Sequence, residues 1–251
     1  MILFVLWSDG QDSKSVSDTF SRYPWAQPLP IPSNYLMDHY FYTNMLEKFL
    51  NFSSLSTSWI GSIHWDDDLR IDITKVNDML SDDTVLEAGI EVLSFHDPLF
   101  PGQSIHKQAE DVHPGLMNLM EYVLRSTGER KEDIDKLRIA SPEIKGVYSY
   151  SFACRPILFQ PLIQWLSRVT IFLMTDMKAQ EIAWGNSSHE GDMRLRMQVY
   201  GSSYFPLHFV TVERLISYYF NIRGSKIMTI QDYKPTLVKS NNSISQTFQS
   251  V

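Results

Sequence analysis

The chain has 251 residues, enough for one large domain or two small ones. Of these 43% are hydrophobic and 20% charged, which excludes a wholly disordered chain. A formal net charge of −7 argues against a general nucleic-acid binder, which would carry a basic face, although a metal ion and a few arginines can still build a local anion site. The single cysteine, Cys154, excludes an internal disulfide and fits a reducing compartment.

The apolar start, Met1 to Trp7, has no basic lead and falls far short of the roughly 18 to 20 apolar residues of a bilayer span. Residues 2–7 are therefore predicted as a buried first strand, with Ser8-Asp9-Gly10 leaving it. Four prolines between Tyr23 and Pro32 forbid a helix and predict extended or looped chain. From Tyr35 to Phe52 the residues Leu36, Tyr40, Thr43, Leu46 and Leu50 recur at helical spacing, with Ser33 and Asn34 as caps. Residues 59–65 predict a strand and Asp72–Leu80 a short helix, and Asp82-Asp83 cap another helix over Thr84–Ala88. Ile90 to Phe95 alternates as a strand.

Leu116, Leu119, Met120, Val123 and Leu124 mark an amphipathic helix after His113-Pro114-Gly115. The charged stretch Gly128–Lys136 predicts a solvated loop or helix end. Val147 to Cys154 predicts a buried strand, followed by a proline-initiated helix from Pro156 toward Met174. Trp184 to Arg194 predicts a loop, Phe209 to Phe220 a helix, and the serine- and asparagine-rich chain after Asp232 a loose tail. Alternating strands and helices predict one α/β domain. The nearest approach to a membrane span, around Ile157–Met174, is broken by Gln160, Pro161, Gln164 and Arg168, so the expectation is a soluble chain without a span.

Chemistry concentrates where Trp59-Ile60-Gly61-Ser62-Ile63-His64-Trp65 runs into Asp66-Asp67-Asp68. A strand ending in three carboxylates places hard oxygen ligands at its C-terminal tip, where open α/β sheets bind substrates. Such oxygens suit Mg2+ or Mn2+, which can hold a diphosphate at the same time. In extended chain, alternate residues project to one side, so Asp66 and Asp68 can share a metal. The competing reading is a solvated turn before the next helix. A Gly-x-x-x-x-Gly-Lys-Ser/Thr loop, Gly-x-Gly-x-x-Gly, His-Glu-x-x-His and Gly-x-Ser-x-Gly are all absent, and one cysteine with no close histidine pair argues against zinc.

Three segments in order extend this reading. Tyr42-Thr43-Asn44 followed by Trp59–Trp65, Gly146–Ala153 followed by Gln164-Trp165-Leu166, and His208-Phe209-Val210-Thr211-Val212-Glu213-Arg214-Leu215 together span roughly residues 40 to 220. They resemble a family of sugar-polymer glycosyltransferases found in bacterial capsule clusters and in large algal DNA viruses. The third departs from that family's His-Pro-Phe…Glu-Arg-Leu pattern by lacking the proline. At 66–68 the capsule group carries basic and aromatic residues, so the aspartates favour a metal-using variant.

The resemblance implies a GT-A fold: a nucleotide-sugar-binding mixed α/β sheet flanked by helices and carrying an Asp-x-Asp signature. The nucleotide-binding part would be about 1–100, the acceptor part about 101–235, and the loose tail 236–251. The implied activity transfers a sugar from a nucleoside diphosphate, UDP first and UDP-L-rhamnose within the viral branch, to a hydroxyl of an oligosaccharide or glycoprotein glycan. The implied location is the cytoplasm, or host cytoplasm for a viral chain, with Mn2+ or Mg2+ as cofactor.

Within that reading Asp66 and Asp68 hold the metal and Asp67 meets the ribose or donor sugar. The tip of the first strand, Trp7, Ser8 and Asp9, meets uracil and ribose, although Trp7 also suits a core. Tyr40 and Tyr42 suit packing more than ligands. His208 and His189 are candidates for a third metal ligand or a diphosphate contact. Arg214 pairs with phosphate or with Glu213. Asp192, Glu213 or Glu190 would deprotonate the acceptor in an inverting enzyme. Two alternatives stay open: a catalytically silent binding module of the same fold, without metal and nucleotide affinity, and a phosphohydrolase that releases inorganic phosphate.

Overall fold

The computed structural model describes residues 1–8, 13–31, 58–65, 71–96, 105–138, 145–148, 150–185 and 207–234. The helix expected over 35–52, the aspartates 66–68, the chain 186–206 and the tail lie outside the described residues.

A six-stranded mixed sheet organises the rest. The first strand, β1 (Ile2–Ser8), is interior, with Leu3, Val5 and Leu6 almost fully buried. It pairs in parallel with β2 (Ala26–Ile31) and β3 (Ile60–Trp65). The Pro-rich segment is therefore extended, as expected, and joins the sheet as its edge strand. Pro28 and Pro30 each lack a ladder donor, which an edge tolerates. Three short strands complete the sheet: β4 (Val92–Ser94), β5 (Phe152–Cys154) and β6 (Ile227–Thr229), giving the order β2-β1-β3-β5-β4-β6. β5 is antiparallel to both neighbours, β3 and β4, while β6 is parallel to β4. Five strands thus end at one edge, the C-terminal edge, where β5 begins.

The Ile60-Gly61 pair has a steric reason. A side chain at Gly61 would place its Cβ 2.0 Å from the Phe152 carbonyl oxygen, so only glycine lets β5 approach β3.

Between strands run helices α1 (Ser13–Phe20), α2 (Ile73–Ser81) and α3 (Asp83–Glu87). Asp72 and Asp82 cap α2 and α3 by accepting the Lys75 and Thr84 amides at 3.0 and 2.9 Å. Val16, Phe20, Trp25, Val76, Met79 and Val85 pack with Leu3, Val5, Ile63 and Leu93 on one face of the sheet. The opposite face carries α4 (Ile105–Val112), α5 (Leu116–Ser126), α6 (Lys131–Asp135), α7 (Pro156–Thr175), α8 (Met177–Gly185) and α9 (Leu207–Ile222). Its core is larger, from Phe4, Ile60 and Val92 through Leu119, Leu166 and Val169 to Tyr219 and Phe220.

Several expectations shift. The charged stretch after Gly128 folds as α6 and a 3-10 turn, Lys136–Arg138, because Arg130 and Lys136 both bind the buried Asp133 at 2.8 Å. Trp184 closes α8 rather than opening a loop. α7 meets the length and apolarity of a membrane-crossing helix, contrary to the expectation, although here it buries Phe159, Leu162, Ile163, Trp165, Leu166, Val169 and Leu173 against protein.

The strand expected over 147–154 shortens to β5. Upstream of it Ser217 Oγ accepts from the Val147 amide at 2.9 Å and donates to the Val147 carbonyl at 3.0 Å, so a helix side chain replaces a strand partner. The chain then turns at Tyr150, which has φ 54°, the one positive φ outside glycine among the described residues. That conformation costs about 1 kcal/mol or more in a non-glycine residue.

Candidate functional site

The C-terminal edge gathers the polar side chains. Ser62 Oγ in β3 donates to the Tyr150 carbonyl at 2.6 Å, and the His64 amide donates to Ser151 Oγ at 3.1 Å. The Phe95 amide, just after β4, donates to the Ser151 carbonyl at 3.0 Å. The Tyr150-Ser151 turn thereby ties β3 and β4 together at the edge, and the strained backbone of Tyr150 sits at the junction.

Above the turn lies α9. Lys145, Val147 and Tyr148 run antiparallel to it, meeting Asn221, Ser217 and Arg214 in turn. The guanidinium of Arg214 lies 5.0 Å from the centre of the Tyr148 ring, and its Nη1 donates to Glu213 Oε1 at 2.5 Å. Both members of this pair are buried. Adjacent helix residues do not face each other, so the contact needs both long side chains to bend together. Glu213 is one of the two partners that the sequence offered Arg214.

Tyr148 also contacts two residues that the sequence did not single out. Its hydroxyl is hydrogen-bonded to Gln108 of α4, and its ring lies 6.3 Å from that of His96, two residues beyond β4. Burial raises the Tyr148 phenol above its usual range, with Arg214 partly opposing. His106, also on α4, is pushed down to about 3, first by burial and then by the charge of Arg214. His208 opens α9, has Trp184 edge-on at 5.4 Å, and is pushed down to about 4 by burial. Both imidazoles are neutral near pH 7.

The structure therefore brings Glu213 and Arg214 together with Tyr148, Gln108 and His106. Of the remaining predicted site residues, Trp7 and Ser8 end β1 at the same edge, and only their backbone is described. Asp9, Asp66, Asp67, Asp68, His189, Glu190 and Asp192 lie outside the described residues, as do Tyr40 and Tyr42. Among the described residues no group of three or more acidic, histidine or cysteine side chains is arranged to hold a metal. His106 and Gln108 escaped the sequence reading because α4 buries polar groups: His106, Gln108, Ala109 and Val112 form its inner side and buried His113 follows it, leaving no apolar stripe to read. The faint signal is the helical spacing of His106, Ala109 and His113.

Fold and site together define a mixed α/β protein with a buried polar cluster at the C-terminal edge of its sheet. No protein-family model, curated protein or solved structure matches the chain.

Proposed function

We propose that the protein is a metal-dependent GT-A glycosyltransferase that moves a sugar from a UDP-sugar, UDP-L-rhamnose among the candidates, to a glycan hydroxyl. The supporting observation is the strand arrangement. β1, β2 and β3 run parallel, a reversed β5 follows, and the chain leaves β3 at the C-terminal edge directly into Asp66-Asp67-Asp68. Ligands of open α/β sheets bind at that edge.

In this reading Asp66 and Asp68 would hold Mn2+ or Mg2+, which supplies the positive charge that the departing diphosphate needs. Asp67 would meet the ribose or donor sugar, and Trp7, Ser8 and Asp9 the nucleoside. Arg214 is already charge-matched by Glu213 and His208 is neutral, so neither brings a spare positive charge to the diphosphate. The same pairing engages one oxygen of Glu213, which favours Asp192 as the base for an acceptor hydroxyl.

Calorimetric titration of UDP with and without Mn2+, repeated on Asp66→Ala/Asp68→Ala, tests the reading. Metal-dependent binding that the double variant loses is the expected result. Absence of UDP binding under both conditions would sink it in favour of a silent module. Release of inorganic phosphate from the nucleotide would favour a phosphohydrolase.

A further inference from the structure

Among the described residues, three buried polar atoms at the C-terminal edge have no hydrogen-bond partner: Ser94 Oγ, His106 Nδ1 and Arg214 Nε. Connected contacts bring them to one neighbourhood. Val92 packs into the larger core and Leu93 into the opposite one, so alternation turns Ser94 toward the side of α4 and α9. The next residue, Phe95, bonds the Ser151 carbonyl, and the Ser151 amide bonds Tyr148, over which Arg214 lies. His106 shares α4 with Gln108, which bonds the Tyr148 hydroxyl, and Arg214 lies over that same Tyr148 ring, so its charge bears on the imidazole. Trp59 Nε1 and Tyr218 Oη are also bare but lie elsewhere, Trp59 at the opposite edge before β3 and Tyr218 stacked on Trp165.

Leaving a buried donor or acceptor unmade costs about 1–3 kcal/mol. Such groups in a native fold are met by an ordered water, a bound ligand or a catalytic use, and three in one neighbourhood make a bound ligand the reading to test. Charge decides the class of ligand. Arg214 is matched by Glu213, His106 is neutral, and Ser94, Tyr148 and Gln108 carry no charge, so the cluster sums to zero. A phosphate would enter low-dielectric surroundings with no net positive charge to meet it. A hydroxyl both donates and accepts, which suits the N–H of Arg214, the two-way oxygen of Ser94 and the ring nitrogen of His106.

We propose that Ser94, His106 and Arg214 form a recognition site for the hydroxyl groups of a neutral sugar. The proposal rests on the glycosyl-transfer reading for its use and assigns the edge a second task beside metal and diphosphate. The sugar is either the transferred glycosyl unit or the acceptor residue.

The test is NMR observation of the histidine ring nitrogens in the full chain. It is titrated with methyl glycosides of D-glucose, D-galactose and L-rhamnose at millimolar concentration, and separately with pyrophosphate, UDP and UDP-glucose, each with Mg2+. At least one glycoside should shift His106 while pyrophosphate does not. Ser94→Ala and His106→Leu should weaken that glycoside about tenfold, the loss of a hydrogen bond or two, while leaving the unfolding midpoint equal or higher. A His106 shift with pyrophosphate, or none with any glycoside, overturns the proposal. So does a lower midpoint in both variants with glycoside affinity intact, because the atoms would then serve packing. A shift with UDP-glucose but not UDP assigns the donor unit, and glycoside binding that persists beside UDP-glucose assigns the acceptor. Glycoside binding without any UDP binding keeps the sugar site and removes the nucleotide-dependent reading.

Discussion

His106 and His208 carry the clearest consequence for acid stability. Each is buried and holds its imidazole below the usual value of 6.5, to about 3 and about 4 respectively. Below pH 6.5 the unfolded chain takes up protons that the folded one refuses, so stability falls as pH drops through the window from 6.5 toward 3 to 4. Above pH 6.5 neither residue contributes a slope. We expect the unfolding midpoint, followed by circular dichroism, to decline across this window, and His106→Leu to flatten part of the decline. An unchanged slope in His106→Leu would mean that His106 is not held neutral. Not all of this was readable in advance. Asp72 and Asp82 announced themselves as caps because an acid before an apolar-periodic run has one usual use. Glu213 and Arg214 stood out as a charged pair in an apolar helix, but whether they faced each other or a phosphate depended on how two side chains bend. His106 gave almost no signal, because nothing in Ile105-His106-Lys107-Gln108 marks it as buried.

At the scale of elements, the long helices α5, α7 and α9 followed from their periodicity, and the core strands β1 and β3 from their apolar runs. Elements of three residues, such as β6, carry too little pattern to read. The shortening of β5 shows why run length misleads. Val147 and Tyr148 are as β-prone as Phe152, yet their partner is a helix, an arrangement that depends on one serine some seventy residues along the chain. Ser217→Ala would strand both the amide and the carbonyl of Val147 in a buried site. At about 1–3 kcal/mol per unmade group we expect a loss of about 2–6 kcal/mol in urea unfolding. A loss below about 0.5 kcal/mol would show that the 145–148 segment finds other partners at no penalty.

At the scale of the molecule, the α/β class was legible from the alternation of strands and helices, but strand order was not. Nothing local in Val147–Cys154 indicates that it would run opposite to its neighbours and lie between β3 and β4. Its Cys154 pairs with Ile60 on one side and Val92 on the other, is fully buried, and has its thiol raised well above the ordinary range by that burial. The thiol should therefore be silent to a disulfide reagent in the folded protein. We expect modification, followed by absorbance, to track global unfolding across a urea series. Rapid labelling without denaturant would mean that β5 detaches while the rest stays folded.

That strand also decides how the two halves of the sheet communicate. On one side lie β1, β2 and β3, from which the aspartates lead away; on the other lie β4 and β6, with Ser94. Three residues of β5 form the seam between them, locked where Gly61 lets two backbones nearly touch. A ligand that grips both sides would act as a clamp across this seam. Occupancy at the edge should then slow the opening of a strand the ligand never touches, and Cys154 would report a binding event from inside the sheet.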